Sequence, residues 1–395
     1  MQVHGSCEPA FAAVGEAFER GFVERGELGA AVAVHLNGEL VVDLWGGLAD
    51  PVEGRPWGED TIAHAYSVSK PLVATCALLL ADRGELDLEA PVSRYWPEYA
   101  RAGKERTLVR HLLAHQSGIL ALREPLPPEA LFDWERLTAA LAAAPPLWEP
   151  GTSHGEEAGF YGHLVGEVVR RADGRSVGRF FAEEVAASWG LDFHIGLGPA
   201  EQERAARLVD PGGAWRQSIR DDPRRWVEAS LDNPPGMLDV DVVDSAAYRA
   251  AEVPAVNGHG TARAVARFYG GLAAGGALDG VRLLRPETVE EALRPQASGR
   301  DELLEDDAVW SLGFRVDDGE SFGLGGIGGF AGYGLRRPGS VLGYGYVTCL
   351  LAGYERTAAC EDALEEALRA RERARAARRS PRAPLRPRPG RPTRP

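Results

Sequence analysis

Apolar positions along the chain follow three kinds of spacing. Between residues 9 and 25, Phe11, Val14, Phe18 and Phe22 recur every three or four positions, which predicts an amphipathic helix. The next stretch changes period. Ala30-Ala31-Val32-Ala33-Val34-His35-Leu36 and Glu39-Leu40-Val41-Val42-Asp43-Leu44-Trp45 flank Asn37-Gly38, the signature of two strands joined by a tight hairpin turn. The third kind is an unbroken apolar run over 71–80, which predicts a buried helix ending near Asp82-Arg83-Gly84.

Residues 85–250 read as helices with long connections. Helices are expected over 108–115, 160–171 and 177–189, prolines cluster at 125–128 and 145–150, and 209–247 reads as loop with Trp215, Trp226 and Met237 in it. Regular patterning returns after Asn257. A helix over 261–274 carries Val265, Phe268, Tyr269 and Leu272 on one stripe, and strands are expected over 309–316, 322–329 and 343–351. A polar, arginine-rich helix follows over 359–379, and 380–395 is rich in Pro and Arg, a composition that predicts disorder. The expected layout is a sheet domain from 1–84 and 252–370, a helical domain from 85–251 inserted between them, and a disordered tail counted from 371 to 395.

Composition narrows the function. A length of 395 residues suits two domains or one large one, and 44% apolar residues suffice for a core. No apolar run is long enough for a membrane span, and the N-terminus lacks the basic and apolar regions of a secretory signal. Cys7, Cys76, Cys349 and Cys360 are scattered with no C-x-x-C pair, which fits a reducing cytoplasm. The net charge of −14 divides unevenly: the last 25 residues hold ten Arg and one Glu, so the remaining 370 carry −23. An acidic body argues against nucleic acid as the partner.

Candidate chemistry lies at the head of the apolar run, in Ser67-Val68-Ser69-Lys70. Residues three apart share one helix face, so the Ser67 hydroxyl and the Lys70 amine can meet. A serine becomes a nucleophile beside a base, and a lysine of lowered pKa supplies one. Of 44 basic residues only Lys70 and Lys104 are lysine. Arginine cannot be deprotonated, so a lysine at this spot in an arginine-rich chain carries weight.

The chain resembles the serine beta-lactamase and penicillin-binding-protein superfamily, specifically its class C-like (family VIII) carboxylesterases, from residue 10 to about 355. The matching segments include Trp45-Gly46-Gly47, Ser67-Val68-Ser69-Lys70, His111-Leu112-Leu113-Ala114-His115-Gln116-Ser117-Gly118, Pro150-Gly151-Thr152, Gly162-His163-Leu164-Val165-Gly166 and Phe322-Gly323-Leu324-Gly325-Gly326. The resemblance implies an α+β fold: an antiparallel sheet flanked by helices, with an inserted helical domain and the active site in the cleft between them. It also implies acyl transfer through an acyl-enzyme on Ser67, with Lys70 as base or proton relay. The oxyanion hole would be the amides of Ser67 and of Ile327, which follows the third motif Leu324-Gly325-Gly326.

Two positions depart from the family pattern. Leucine at 324 replaces a residue that in many relatives is Lys or His, so a substrate carboxylate has no cation there, and neutral esters or lactones are expected. The family's proton-shuttling tyrosine falls on Glu156, with Tyr161 nearby as a substitute, and Glu156 itself could take the Ser67 proton. His115 is expected to be structural. Glu156-Glu157 lacks an accompanying metal-ligand pattern such as H-E-x-x-H, so neither metal nor cofactor is expected. The partner expected is a small ester, lactone or amide, with no nucleic acid or membrane; the oligomeric state is left open. Rival readings are an acyltransferase, a beta-lactamase or D-amino-acid peptidase on the same scaffold, and a catalytically weak binding protein that keeps the fold.

Overall fold

The computed structural model describes residues 2–317 and 319–379. Its main sheet is antiparallel and contains ten strands. Nine form one path: β1 (Val3–Cys7), β2 (Gly29–Leu36), β3 (Glu39–Asp50), β4 (Ala297–Arg300), β5 (Asp307–Trp310), β6 (Arg315–Asp317), β7 (Ser321–Gly323), β8 (Ala331–Arg337) and β9 (Ser340–Thr348). Their spatial order is β1-β3-β2-β9-β8-β7-β6-β5-β4. The last strand therefore pairs with the N-terminal hairpin, with Val32 opposite Tyr346. The hairpin turns at Asn37-Gly38 as expected, both residues having positive φ (52° and 92°), the geometry of the favoured two-residue turn.

Each face of the sheet is covered. Helices α1 (Ala12–Glu24) and α5 (Glu355–Arg379) share an apolar cluster with one face, in which Phe11, Val14 and Phe18 meet Val32, Val34, Tyr344 and Leu364. Phe11, Val14 and Phe18 are three of the four positions that the helical spacing picked out. The other face is covered by α4 (Ala262–Ala273), which packs on β9, β2 and β8, and α2 (Ser69–Asp82) lies in the same core. One continuous core extends from there into helices of the 85–251 segment, among them Val109–Leu113, Trp134–Ala143 and α3 (Tyr161–Asp173).

Four expectations needed correction. The strand expected over 322–329 ends at Gly323, because the chain turns back between Gly326 and Phe330 before β8 starts at Ala331. The stretch 209–247 contains the short helices Ala214–Arg220, Val227–Leu231 and Val240–Val243. The single strand over 309–316 is two, because the chain reverses at residues 311–314 and only Trp310 and Arg315 pair across the turn. The proposed 371–395 tail begins inside a helix: α5 runs to Arg379, where Arg371 lies over the Phe11 ring and Arg375 donates to the Gly339 carbonyl at 2.6 Å. Residues 380–395 lie outside the described part.

Candidate active site

Ser67 sits in a 3-10 turn (Tyr66–Val68) that leads directly into α2. The turn is held by its neighbours. Tyr66 has φ of 44°, a left-handed conformation unusual for a bulky residue. Its carbonyl accepts from Ser69 Oγ at 2.6 Å, and Ser69 Oγ accepts from the Gly258 amide at 2.9 Å. Ser69 is thus committed to the backbone, whereas Ser67 lines the cleft. One helical turn on, Lys70 Nζ donates to Ser67 Oγ at 2.5 Å and is fully buried. Burial lowers the Lys70 pKa, and the Glu156 and Glu157 carboxyls oppose that shift.

Glu156 reaches this pair. Its Oε1 is 3.1 Å from Lys70 Nζ, and its side chain is 13% exposed. The loop that carries it is fastened by Asp301, which accepts the Glu156 amide (3.0 Å), Trp310 Nε1 (2.8 Å) and the amides of Leu303 and Leu304. Tyr161 is engaged elsewhere. Its hydroxyl donates to the Leu113 carbonyl at 3.3 Å, its ring packs against His115, and burial raises its pKa well above the phenol range. Of the four catalytic candidates the fold gathers Ser67, Lys70 and Glu156, while Tyr161 makes no polar contact with them among the described residues.

The opposite lip is Leu324-Gly325-Gly326-Ile327, just past β7. Gly326 exchanges backbone hydrogen bonds with Phe330 (2.9 and 3.2 Å), which closes a tight turn. A Cβ on Gly326 would stand 2.6 Å from the Ala65 carbonyl oxygen and 3.2 Å from Tyr66 Cβ, so only glycine lets the lip approach the Ser67 turn. Ser67 and Ile327 line the same cleft, and neither amide has an acceptor among the described residues. Leu324 is buried against Trp310 and Ala308.

The cleft has a volume of about 970 Å³, and Trp215, Ile219, Trp310, Leu324, Leu351 and Tyr354 give it an apolar wall. Among the described residues no three His, Cys, Asp or Glu side chains are grouped to hold a metal, and no helix is long and apolar enough to cross a membrane. Sequence reading missed Asp301, Trp310 and the buried Glu157. Asp301 had no local signal, since it acts from a segment 145 positions away from Glu156.

The beta-lactamase family profile matches residues 16–369. The esterase/beta-lactamase LipL of Mycobacterium tuberculosis is 36% identical over 296 residues, which span 73% of this chain and 68% of LipL. A solved family VIII carboxylesterase superimposes with a TM-score of 0.84 at 36% identity, over 93% of this chain and all of that one. EstA from Arthrobacter nitroguajacolicus Rue61a superimposes with a TM-score of 0.80 at 27% identity, over 94% of this chain and 99% of EstA.

Proposed function

Since the chain belongs to the beta-lactamase family and is a serine ester hydrolase of it, we propose that Ser67 carries the acyl group and that Glu156 does the work of the family's tyrosine. The observation that carries this reading is the continuous line from Ser67 Oγ through Lys70 Nζ (2.5 Å) to Glu156 Oε1 (3.1 Å). Lys70 lies between the other two, which favours a relay over direct transfer from serine to Glu156. In the reactive arrangement Lys70 is neutral and Glu156 holds the proton. Ser67 Oγ attacks the ester carbonyl and its proton passes to Lys70. The amides of Ser67 and Ile327 receive the developing oxyanion. Glu156 gives its proton to the departing alkoxide and is recharged from Lys70. Water then attacks the acyl-enzyme by the same path in reverse.

The substrate class follows from the cleft wall. Leucine at 324 offers no cation to a carboxylate, Arg224 and Arg315 elsewhere in the lining are paired with Asp222 and Asp317, and the aromatic and aliphatic wall suits a neutral ester or lactone. The four cysteines are all free thiols, which supports a reducing compartment. The test is intact mass spectrometry after exposure to esters, lactones and beta-lactams, with Ser67→Ala and Lys70→Arg beside the native chain. Ester-dependent mass gain on native protein alone is expected. Beta-lactam adducts forming faster than ester adducts would favour the lactamase or peptidase reading. Failure of a fluorophosphonate to label Ser67 would favour a binding protein.

A further inference from the structure

Glu157 follows Glu156 in sequence but points inward and is wholly buried. Its Oε1 accepts the Ser117 hydroxyl in a short bond and the Ser117 amide at 3.2 Å. Its own amide donates to His115 Nδ1 at 3.1 Å. That bond fixes the tautomer of His115. Nδ1 must present a lone pair, so the ring is neutral with its proton on Nε2. An imidazolium would set N–H against N–H. Burial, with Lys70 and His154 adding to it, also holds the His115 pKa well below its ordinary value.

Glu157 Oε2 lies 3.4 Å from the same Nδ1. The contact has the spacing of an ion pair, yet the nitrogen is an acceptor. As a carboxylate, Oε2 has no hydrogen-bond donor among the described residues. Two lone pairs would then face each other in the interior, at the cost of an unsatisfied buried charge. A proton on Oε2 removes the buried charge and sets an O–H, in place of another lone pair, toward a nitrogen that already accepts the Glu157 amide. We propose that Glu157 is a neutral carboxylic acid whose Oε2 hydroxyl faces His115 Nδ1, and that its neutrality leaves the Lys70 amine free to act as base. This rests on the Ser67–Lys70 reading above and adds a positioning residue to it.

Every charged or titratable neighbour bears on this. Lys70 approaches from α2, His115 and Ser117 from the turn after Val109–Leu113, Tyr99 from the 3-10 turn Pro97–Ala100, Tyr161 from α3, and Asp301 from the loop after β4. Glu156 precedes it in the chain, and His154 acts on His115. Burial raises the Glu157 pKa to about 8; the Ser117 bonds and Lys70 oppose the rise, and Asp301 assists it. Above that pH an anionic Glu157 stabilises the Lys70 ammonium and weakens the base.

Glu157→Gln is the test, because the amide reproduces the neutral acid: its NH2 can face His115 Nδ1 without a charge and its oxygen can accept from Ser117. Acylation by a neutral p-nitrophenyl ester is followed by stopped flow from about pH 6 to about pH 10. The ratio of variant to native rate should stay constant up to about pH 8 and then climb, by about tenfold for each pKa unit of coupling between Glu157 and Lys70. A ratio that is flat throughout overturns the proposal. Infrared difference spectra read Glu157 without reference to activity. Native protein should lose a protonated-carboxyl C=O band between pH 7 and pH 9 that the variant never shows, and absence of that band at pH 7 also overturns it. A failure of the hydrolase reading itself is seen separately, as Ser67 left unlabelled by fluorophosphonate.

Discussion

Glu156→Gln tests the relay most directly. At an effective dielectric of about 20, two unit charges at the Lys70–Glu156 separation of 3.1 Å attract by roughly 5 kcal/mol before desolvation is charged against them. The amide removes that attraction and the proton Glu156 would deliver. General acid–base assistance is worth about 10²–10⁴ in rate, or roughly 3–5 kcal/mol of barrier, and this loss, not the ion-pair attraction, sets the expected penalty. The expected result is an acylation rate down by about that factor. Leaving groups separate the roles. p-Nitrophenolate departs without much help, whereas an alkyl alkoxide needs a proton, so the penalty should be larger for an alkyl ester. The assay is single-turnover acylation with matched aryl and alkyl butyrates. Removing Glu156 also removes an influence that raises the Lys70 pKa. If Lys70 alone sufficed, the variant would match or exceed the native rate, and that result would refute the relay. An equal penalty for both esters would reduce Glu156 to an electrostatic partner.

Other outcomes follow from the same geometry. Gly326→Ala should slow fluorophosphonate labelling of Ser67 by about 10²–10³, the loss expected when an oxyanion donor is displaced, because its Cβ would press on the Ala65 carbonyl. Tyr161→Phe should leave turnover nearly intact and cost about 0.5–1.5 kcal/mol in denaturant unfolding, the worth of its bond to Leu113. Truncation after Arg379 should change neither Tm nor turnover, whereas truncation after Ala370 should lower Tm alone by removing the Arg371 and Arg375 contacts. Native Glu157 stays neutral to about pH 8 while the unfolded carboxyl ionises near 4.5, so its contribution to stability declines as pH rises through that window. The Tm advantage of Glu157→Gln should therefore grow from pH 4.5 to pH 8 in calorimetry, and a pH-independent difference would contradict a neutral acid.

What could be read from the sequence was what is encoded locally. The hairpin showed itself because Asn-Gly forms its turn without outside help. Ser67 and Lys70 stood out because one helical turn joins them. Glu156 was placed by the family's spacing to the glycine that follows, and the structure puts it beside Lys70. The short helices within 209–247 have too few turns to leave a periodic trace. Strand β8 opens Ala331-Gly332-Tyr333-Gly334, where glycines blur the alternation that marks a strand. The different roles of Glu156 and Glu157 could not be read at all. They depend on one residue facing Lys70 and the next facing Ser117 and His115.

The position of β9 has a consequence for biosynthesis. The hairpin of β2 and β3 leaves the ribosome early, but the partner of β2 comes more than 300 residues later; the Tyr346 hydroxyl that bonds Glu27 is 319 positions away. Until then β2 presents an open hydrogen-bonding edge of Val and Ala, the kind of edge that recruits strands from other chains. Closure of so long a loop is a slow event, so the sheet is completed only at the end of translation. A ribosome stalled anywhere in the helical segment would release a chain whose most aggregation-prone edge is already made and still uncovered. The yield of this protein should therefore depend on holdase chaperones during elongation more than on the stability of its finished fold.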